Sequence, residues 1–174
     1  MAMLQLMSVV FGLALSTNAP ATVLSTPLEP ALAQYMSTDS YAPRKNARFI
    51  ADTKANVGYI VNEDGSYTSF LIASGRNEKV RYLGMTYVAT TPVKNWKATR
   101  VNIQGDRVTF GDEGTFIRLD DTKYGIHDYK YLDDILEKDT EGRFFSMGCI
   151  LVKSDILKKL LKIRELNGGI LEVA

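Results

Sequence analysis

The chain has one cysteine and one histidine in 174 residues, and each scarcity removes a class of explanation. A single cysteine cannot close an internal disulfide. With one histidine beside it, no cluster of the spacing that holds structural or catalytic zinc can be assembled, so no metal is expected. No glycine-rich phosphate-binding loop and no internal repeat is present. Long apolar runs are missing too. The longest, Leu4 to Leu15 with Gln5, Ser8 and Gly12 inside it, falls short of the roughly 20 residues that a bilayer span requires. Charge of one sign is also lacking: 21 basic residues face 20 acidic ones, a net +1. No overall field gathers the protein onto nucleic acid or an acidic membrane, and a nucleic-acid partner is not expected.

What is there fits one domain. The chain is 45% hydrophobic, enough at this length for one proper core. Nine Tyr and seven Phe lie among segments rich in Val, Ile and Thr, a composition that suits sheet over helical bundle. The N-terminal apolar run, followed by the small-residue sites Ala19-Pro20-Ala21 and Ala31-Leu32-Ala33, has the pattern of a secretory signal. We expect a signal peptide over 1–33, a proline-containing linker over 34–47 and the folded domain over 48–174. Export to the periplasm, cell envelope or medium follows, with no stable membrane span after cleavage. An uncleaved apolar anchor is the alternative.

The expected fold is mainly β with a C-terminal helix. Phe49 to Asp52 starts a strand, and Val57 to Val61 with Tyr67 to Ile72 reads as a hairpin turning at Asp64-Gly65. Further strands are expected at Thr86 to Thr90, Thr99 to Ile103, Arg107 to Phe110 and Thr115 to Leu119. Tyr131 to Leu136 can form one or two helical turns. Ser154 to Leu166 carries Ile156, Leu157, Leu160, Leu161 and Ile163 at helical spacing, with Ser154 as N-cap, Asn167-Gly168-Gly169 as C-cap and a closing strand at Ile170 to Val173. Asp133, Asp134 and Glu137 read as a solvated helix face. Trp96 beside Lys94 and Lys97 reads as an amphipathic edge anchor or a stacking surface.

Chemistry concentrates on His127 and Cys149. A thiol needs a neighbouring base to become a nucleophile near neutral pH, and an imidazole is the usual one. Gly148 adds close backbone approach, leaving nearby N–H groups to hold an oxyanion. The competing reading is a packed, inert thiol, the common fate of a free cysteine.

The pattern His127 … Ser146-Met147-Gly148-Cys149-Ile150 resembles the signature of the L,D-transpeptidase (YkuD-like) catalytic domain, where a His precedes a Ser/Thr-His-Gly-Cys block. Ser74-Gly75-Arg76 and Thr91-Pro92 resemble two weaker family elements, and Ser154 to Val173 its closing helix and strand. The resemblance spans about residues 47 to 174. It implies a β-sandwich, Cys149 as nucleophile, His127 as general base, Ser146 as support for the imidazole or its loop, and the Gly148 and Cys149 N–H groups as oxyanion donors. It further implies peptidoglycan stem peptides as partners, attacked at the amide between their third and fourth residues, and no cofactor. Four positions depart from the family pattern: Met147 replaces a His, Leu151 an Arg or Asn, Asp128 a Gly, and Thr91-Pro92-Val93-Lys94 lacks a Gly. Arg143 or Lys153 is the expected substitute for the group missing at Leu151. Tyr124, with Arg143 and Met147, is expected to face substrate, and Tyr129 to line the site. Two other readings stay open: water as acceptor, giving a cysteine carboxypeptidase or amidase, and a wall-binding domain without turnover.

Overall fold

The computed structural model describes residues 35–82 and 84–174. The expected signal peptide over 1–33 lies outside them. In chain order the elements are β1 (Arg48–Asp52), β2 (Val57–Val61), β3 (Tyr67–Leu71), β4 (Ser74–Gly75), β5 (Lys79–Tyr82), β6 (Met85–Val88), β7 (Trp96–Ala98), β8 (Arg100–Ile103), β9 (Thr115–Arg118) and β10 (Gly125–His127). After α1 (Leu132–Leu136) and a 3-10 turn (Glu141–Arg143) come β11 (Phe144–Ser146), β12 (Ile150–Leu151), α2 (Ser154–Leu166) and β13 (Leu171–Val173).

Two sheets and a helix enclose the core. One sheet runs β3-β2-β1-β13-β7 and the other β12-β10-β9-β8, with short pairs β11-β4 and β5-β6 beside them. The first begins with the expected hairpin, in register from Val57↔Leu71 to Val61↔Tyr67, its turn closed by Asp64 accepting the Ser66 N–H at 2.9 Å and by Gly65 at φ +80. Strand alternation sends Phe49 and Ile60 inward from this sheet and Ile117, Ile126 and Ile150 inward from the other. From α2, Ile156, Leu157, Leu160 and Ile163 complete the cluster. Lys158 and Lys162 of α2 lie toward solvent, Lys162 paired with Glu165 at 2.9 Å and Lys158 with Glu113 at 2.7 Å, as an amphipathic helix requires. The fold is mainly strand with a C-terminal helix, as expected. Among the described residues no helix is long and apolar enough to cross a membrane.

Several local readings change. Arg107 to Phe110 is a turn, not a strand: Asp106 accepts the N–H groups of Val108 and Thr109 at 3.0 and 3.2 Å, a side-chain turn that competes with the ladder. The strand expected at Thr86 to Thr90 is β6, and its partner β5 has no clear period in the sequence. β7 was also not expected, and it buries Trp96 to 5% exposure. Ser154 is already helical; Lys153 holds the N-cap position, without a side-chain cap. The C-cap is as expected, with the Gly169 N–H on the Arg164 carbonyl at 2.8 Å. The segment expected to be a linker lies against the domain over 35–47: Tyr41 is 3% exposed, and its hydroxyl donates to Asn62 Oδ1 at 2.8 Å.

Leu160 is fully buried at the centre of α2, so Leu160→Ala is expected to cost about 2–5 kcal/mol. Urea unfolding followed by far-UV circular dichroism measures this. A loss well under 1 kcal/mol would contradict the placement of α2 over the core.

Candidate active site

Strand register brings the two chemically distinctive residues onto one face. β10 pairs antiparallel with β9, Gly125↔Arg118, Ile126↔Ile117 and His127↔Phe116, and parallel with β12, Ile126↔Ile150 and His127↔Leu151. The isoleucine row is buried in the main core. Alternation therefore turns Phe116, His127 and Leu151 to the opposite face. Cys149, one residue before Ile150, turns the same way. There it packs with Leu151, Ala73 and the apolar side of α1 in a second cluster.

His127 is 5% exposed. Its Nδ1 lies 2.7 Å from the Asp128 carbonyl oxygen. A carbonyl can only accept, so Nδ1 carries the proton and Nε2 keeps its lone pair. Phe110 and Phe116 enclose the ring at centroid distances of 4.9 and 5.6 Å, Phe110 coming from the turn that replaces the expected strand. Burial pushes the imidazole pKa below its ordinary value, opposed by the carbonyls of Asp128 and Thr109. The neutral, basic form is thereby favoured. Asp128 itself accepts the Tyr129 N–H at 2.7 Å, and burial raises its carboxyl pKa.

The turn carrying Cys149 is held by Ser146. Its hydroxyl donates to the Cys149 carbonyl at 2.6 Å and accepts the Gly148 N–H at 3.0 Å. That second bond occupies one of the two backbone donors expected for an oxyanion and leaves the Cys149 N–H as the donor beside the thiol. Ser146 thus fixes the loop, and its hydrogen bonds go to that loop instead of the imidazole. Gly148 sits at φ +113, and a Cβ there would meet Tyr124 Cε1 at 2.6 Å, so the position requires glycine. Tyr124 accordingly lies against the turn. The Met147 carbonyl accepts from the Tyr87 hydroxyl at 3.2 Å. Burial pushes the Cys149 thiol up to about 11, opposed by the Gly125 N–H and the Arg118 charge. The thiol is protonated at neutral pH.

The individually weak sequence matches meet in space. The Gly75 N–H donates to Thr91 Oγ1 at 2.9 Å, and β4 pairs with β11, Phe144↔Ser74 and Ser146↔Gly75. Arg76 reaches the Phe145 carbonyl through Nε and Nη2 at 3.1 and 2.9 Å. Behind them Asn56, fully buried, accepts from the Ser74 hydroxyl at 2.6 Å and donates to the Thr140 carbonyl at 3.1 Å. Arg143 is placed elsewhere: 8% exposed, it donates to the Lys138 carbonyl at 2.7 Å and Thr140 Oγ1 at 3.2 Å. Lys153 pairs with Asp133 at 2.7 Å. Tyr129 packs on Phe145 with centroids 5.4 Å apart. Sequence reasoning missed Tyr87, Asn56, Phe110 and Arg118. For Arg118 a signal existed, since it follows Phe116 by one strand period. A cavity of about 660 Å³ is lined by Lys45, Asn46, Leu166, Asn167, Gly168, Ile170 and Glu172, none of them a residue of this face.

Against solved structures, the chain matches an L,D-transpeptidase (residues 123-326) from Xylanimonas cellulosilytica with TM-score 0.55 and 18% identity, over 76% of this chain and 61% of that one. The fold is L,D-transpeptidase-like. The catalytic domain of an Enterococcus faecium L,D-transpeptidase matches over 76% of this chain and all 100% of that one, at 19% identity and TM-score 0.48. A mutant of an Enterococcus faecium L,D-transpeptidase matches at 17% identity and TM-score 0.47, over 76% of this chain and 50% of that one. The L,D-transpeptidase-like chain thus spans about three-fifths of the Xylanimonas chain. No protein-family model matches the sequence, and neither does any curated protein.

With the thiol at about 11 against an ordinary 9.0, alkylation of Cys149 by iodoacetamide is expected to keep accelerating up to about pH 11. A plateau below pH 9 would contradict the burial of the thiol. Because the fold raises this pKa, the associated stability is fully present below pH 9.0 and is lost as pH rises through about 11. His127 has the opposite sign: its pKa is lowered from 6.5, so stability is present above pH 6.5 and falls as pH drops below it. Urea midpoints across pH should show Cys149→Ala flattening the alkaline limb alone.

Proposed function

We propose that this domain is a peptidoglycan L,D-transpeptidase of the cell envelope, exported by the segment over 1–33, with Cys149 carrying the acyl group. One observation carries the reading. The thiol and the imidazole lie on the same sheet face, on adjacent paired segments, and the Asp128 carbonyl at 2.7 Å from Nδ1 leaves Nε2 as the free base. That is the tautomer general-base catalysis needs.

In this mechanism Nε2 takes the Sγ proton as sulfur attacks the carbonyl carbon between the third and fourth residues of a stem peptide. A neutral pair of this kind transfers the proton during attack, without a standing thiolate. The oxyanion faces the Cys149 N–H. Collapse breaks the C–N bond, and the imidazolium proton passes to the departing amine of D-alanine, leaving a thioester. An amine from another stem then attacks the thioester carbon. Its proton goes to Nε2 and from there to the leaving sulfur, restoring the thiol. Tyr124, against the Gly148 turn, and Met147, within it, form the substrate wall.

A specific feature favours a second reading, a wall-binding domain that keeps the fold without turnover: the thiol pKa is raised, not lowered, and Met147 stands where the family pattern has a histidine. Intact-mass spectrometry of the full chain mixed with a carbapenem, and separately with a tetrapeptide stem, decides between them. The expected result is one adduct that disappears in Cys149→Ala and forms about 10²–10⁴-fold more slowly in His127→Ala. Folded wild-type protein that takes no adduct from either compound would sink the transpeptidase reading. Product analysis with and without an added acceptor amine separates transfer from hydrolysis.

A further inference from the structure

The row that contains Cys149 on the reactive face also contains an arginine. β9 places Arg118 opposite Gly125, and Cys149 stands beside Gly125 on the other side, one residue before the Ile126↔Ile150 pair. Glycine puts no side chain between them. The Phe116 ring fills the space above Gly125, within 2.3 Å of where a Cβ would stand, and the Arg118 guanidinium rests on that ring, 5.4 Å from its centroid. Nη1 donates to the Thr122 carbonyl at 2.6 Å, which fixes the fork. Among the described residues Arg118 makes no ion pair with a carboxylate. Arg100, its neighbour across β8, is paired with Asp121 at 2.5 Å.

The other cations near the site are engaged. Arg76 is held by the Phe145 carbonyl, and Lys123 lies 3.5 Å over the Tyr87 ring. Leu151 supplies no polar group and packs in the apolar cluster beneath.

We propose that Arg118 is the anion-recognition residue of the Cys149 site, binding a free carboxylate of the acyl donor beside the scissile carbonyl. A guanidinium seated on an aromatic face, with one N–H fixed and others free, suits bidentate carboxylate binding. This rests on the transpeptidase reading for the donor's identity, but the recognition of an anion at the thiol does not. Two carboxylates of a stem peptide can fill the role: the terminal one of the fourth residue and a side-chain one of the third.

The test compares alkylation of Cys149 in the full chain by anionic iodoacetate and neutral iodoacetamide. A change in thiol reactivity moves both rates and cancels in their ratio. Arg118→Gln should lower the iodoacetate-to-iodoacetamide ratio about tenfold, Arg118→Lys should recover part of it, and Arg100→Gln should leave it unchanged. An unaltered ratio in a folded Arg118→Gln variant overturns the proposal, as does an equal drop in Arg100→Gln, which would mark a general field. Tetrapeptides amidated at one carboxylate at a time then tell the sources apart: the amide that makes wild type behave like Arg118→Gln identifies the bound group. A ratio that responds while no peptide acylates Cys149 would reject the transpeptidase reading and keep the arginine assignment. Acylation equally fast in Arg118→Gln would do the reverse.

Discussion

The parallel pairing of β10 with β12 is the constraint on which the rest depends. Its register sets Ile126 against Ile150 in the core, and once those two are inside, the period of two leaves His127 and Cys149 no choice of face. A slip of one residue would turn the thiol and imidazole into the main core and move the isoleucines out of it. The large apolar burial of the sandwich thus enforces the position of two small polar groups. The energy that fixes the two polar groups comes from apolar residues on the other face of the sheet.

Around that pair the polar atoms are spent on holding backbone. Ser146 ties both sides of the Gly148 turn, Arg76 ties β4 to β11, and Asn56 joins β4 to the loop before the 3-10 turn. Such satisfied, buried bonds make a rigid cradle. The His127 imidazole and the Cys149 thiol are uncharged at neutral pH, both for the same reason: burial disfavours the imidazolium as it disfavours the thiolate. Desolvation pushes the two pKa values apart and so selects the neutral pair over the ion pair.

Much of this was legible in the sequence. The hairpin, α2 with its glycine cap, and the closing strand were marked by period and turn residues, and the His/Ser/Gly/Cys spacing pointed to the site. What escaped did so for physical reasons. β5 alternates poorly because it is a largely solvent-exposed strand; with no buried face its residues carry no pattern. Arg107 to Phe110 has strand-like residues, but Asp106 captures their N–H groups. Arg143 looked free to meet substrate because a sequence cannot show that a charge is satisfied by carbonyls from its own neighbourhood. Met147 was considered for its side chain, whereas the contact the structure records there is made by its carbonyl.

The five-stranded sheet places β13 between β1 and β7, so that Phe49 pairs with Val173. Two strands far apart in sequence are joined only through a third that comes after both. Closure of this sheet is therefore the most non-local event in folding, and it comes late. Until β13 is in place, β1 and β7 each present an open hydrogen-bonding edge. A chain released only up to Leu166 lacks the strand that joins β1 to β7. The interval before Leu171–Val173 arrives is when the nascent chain is most exposed to wrong strand partners.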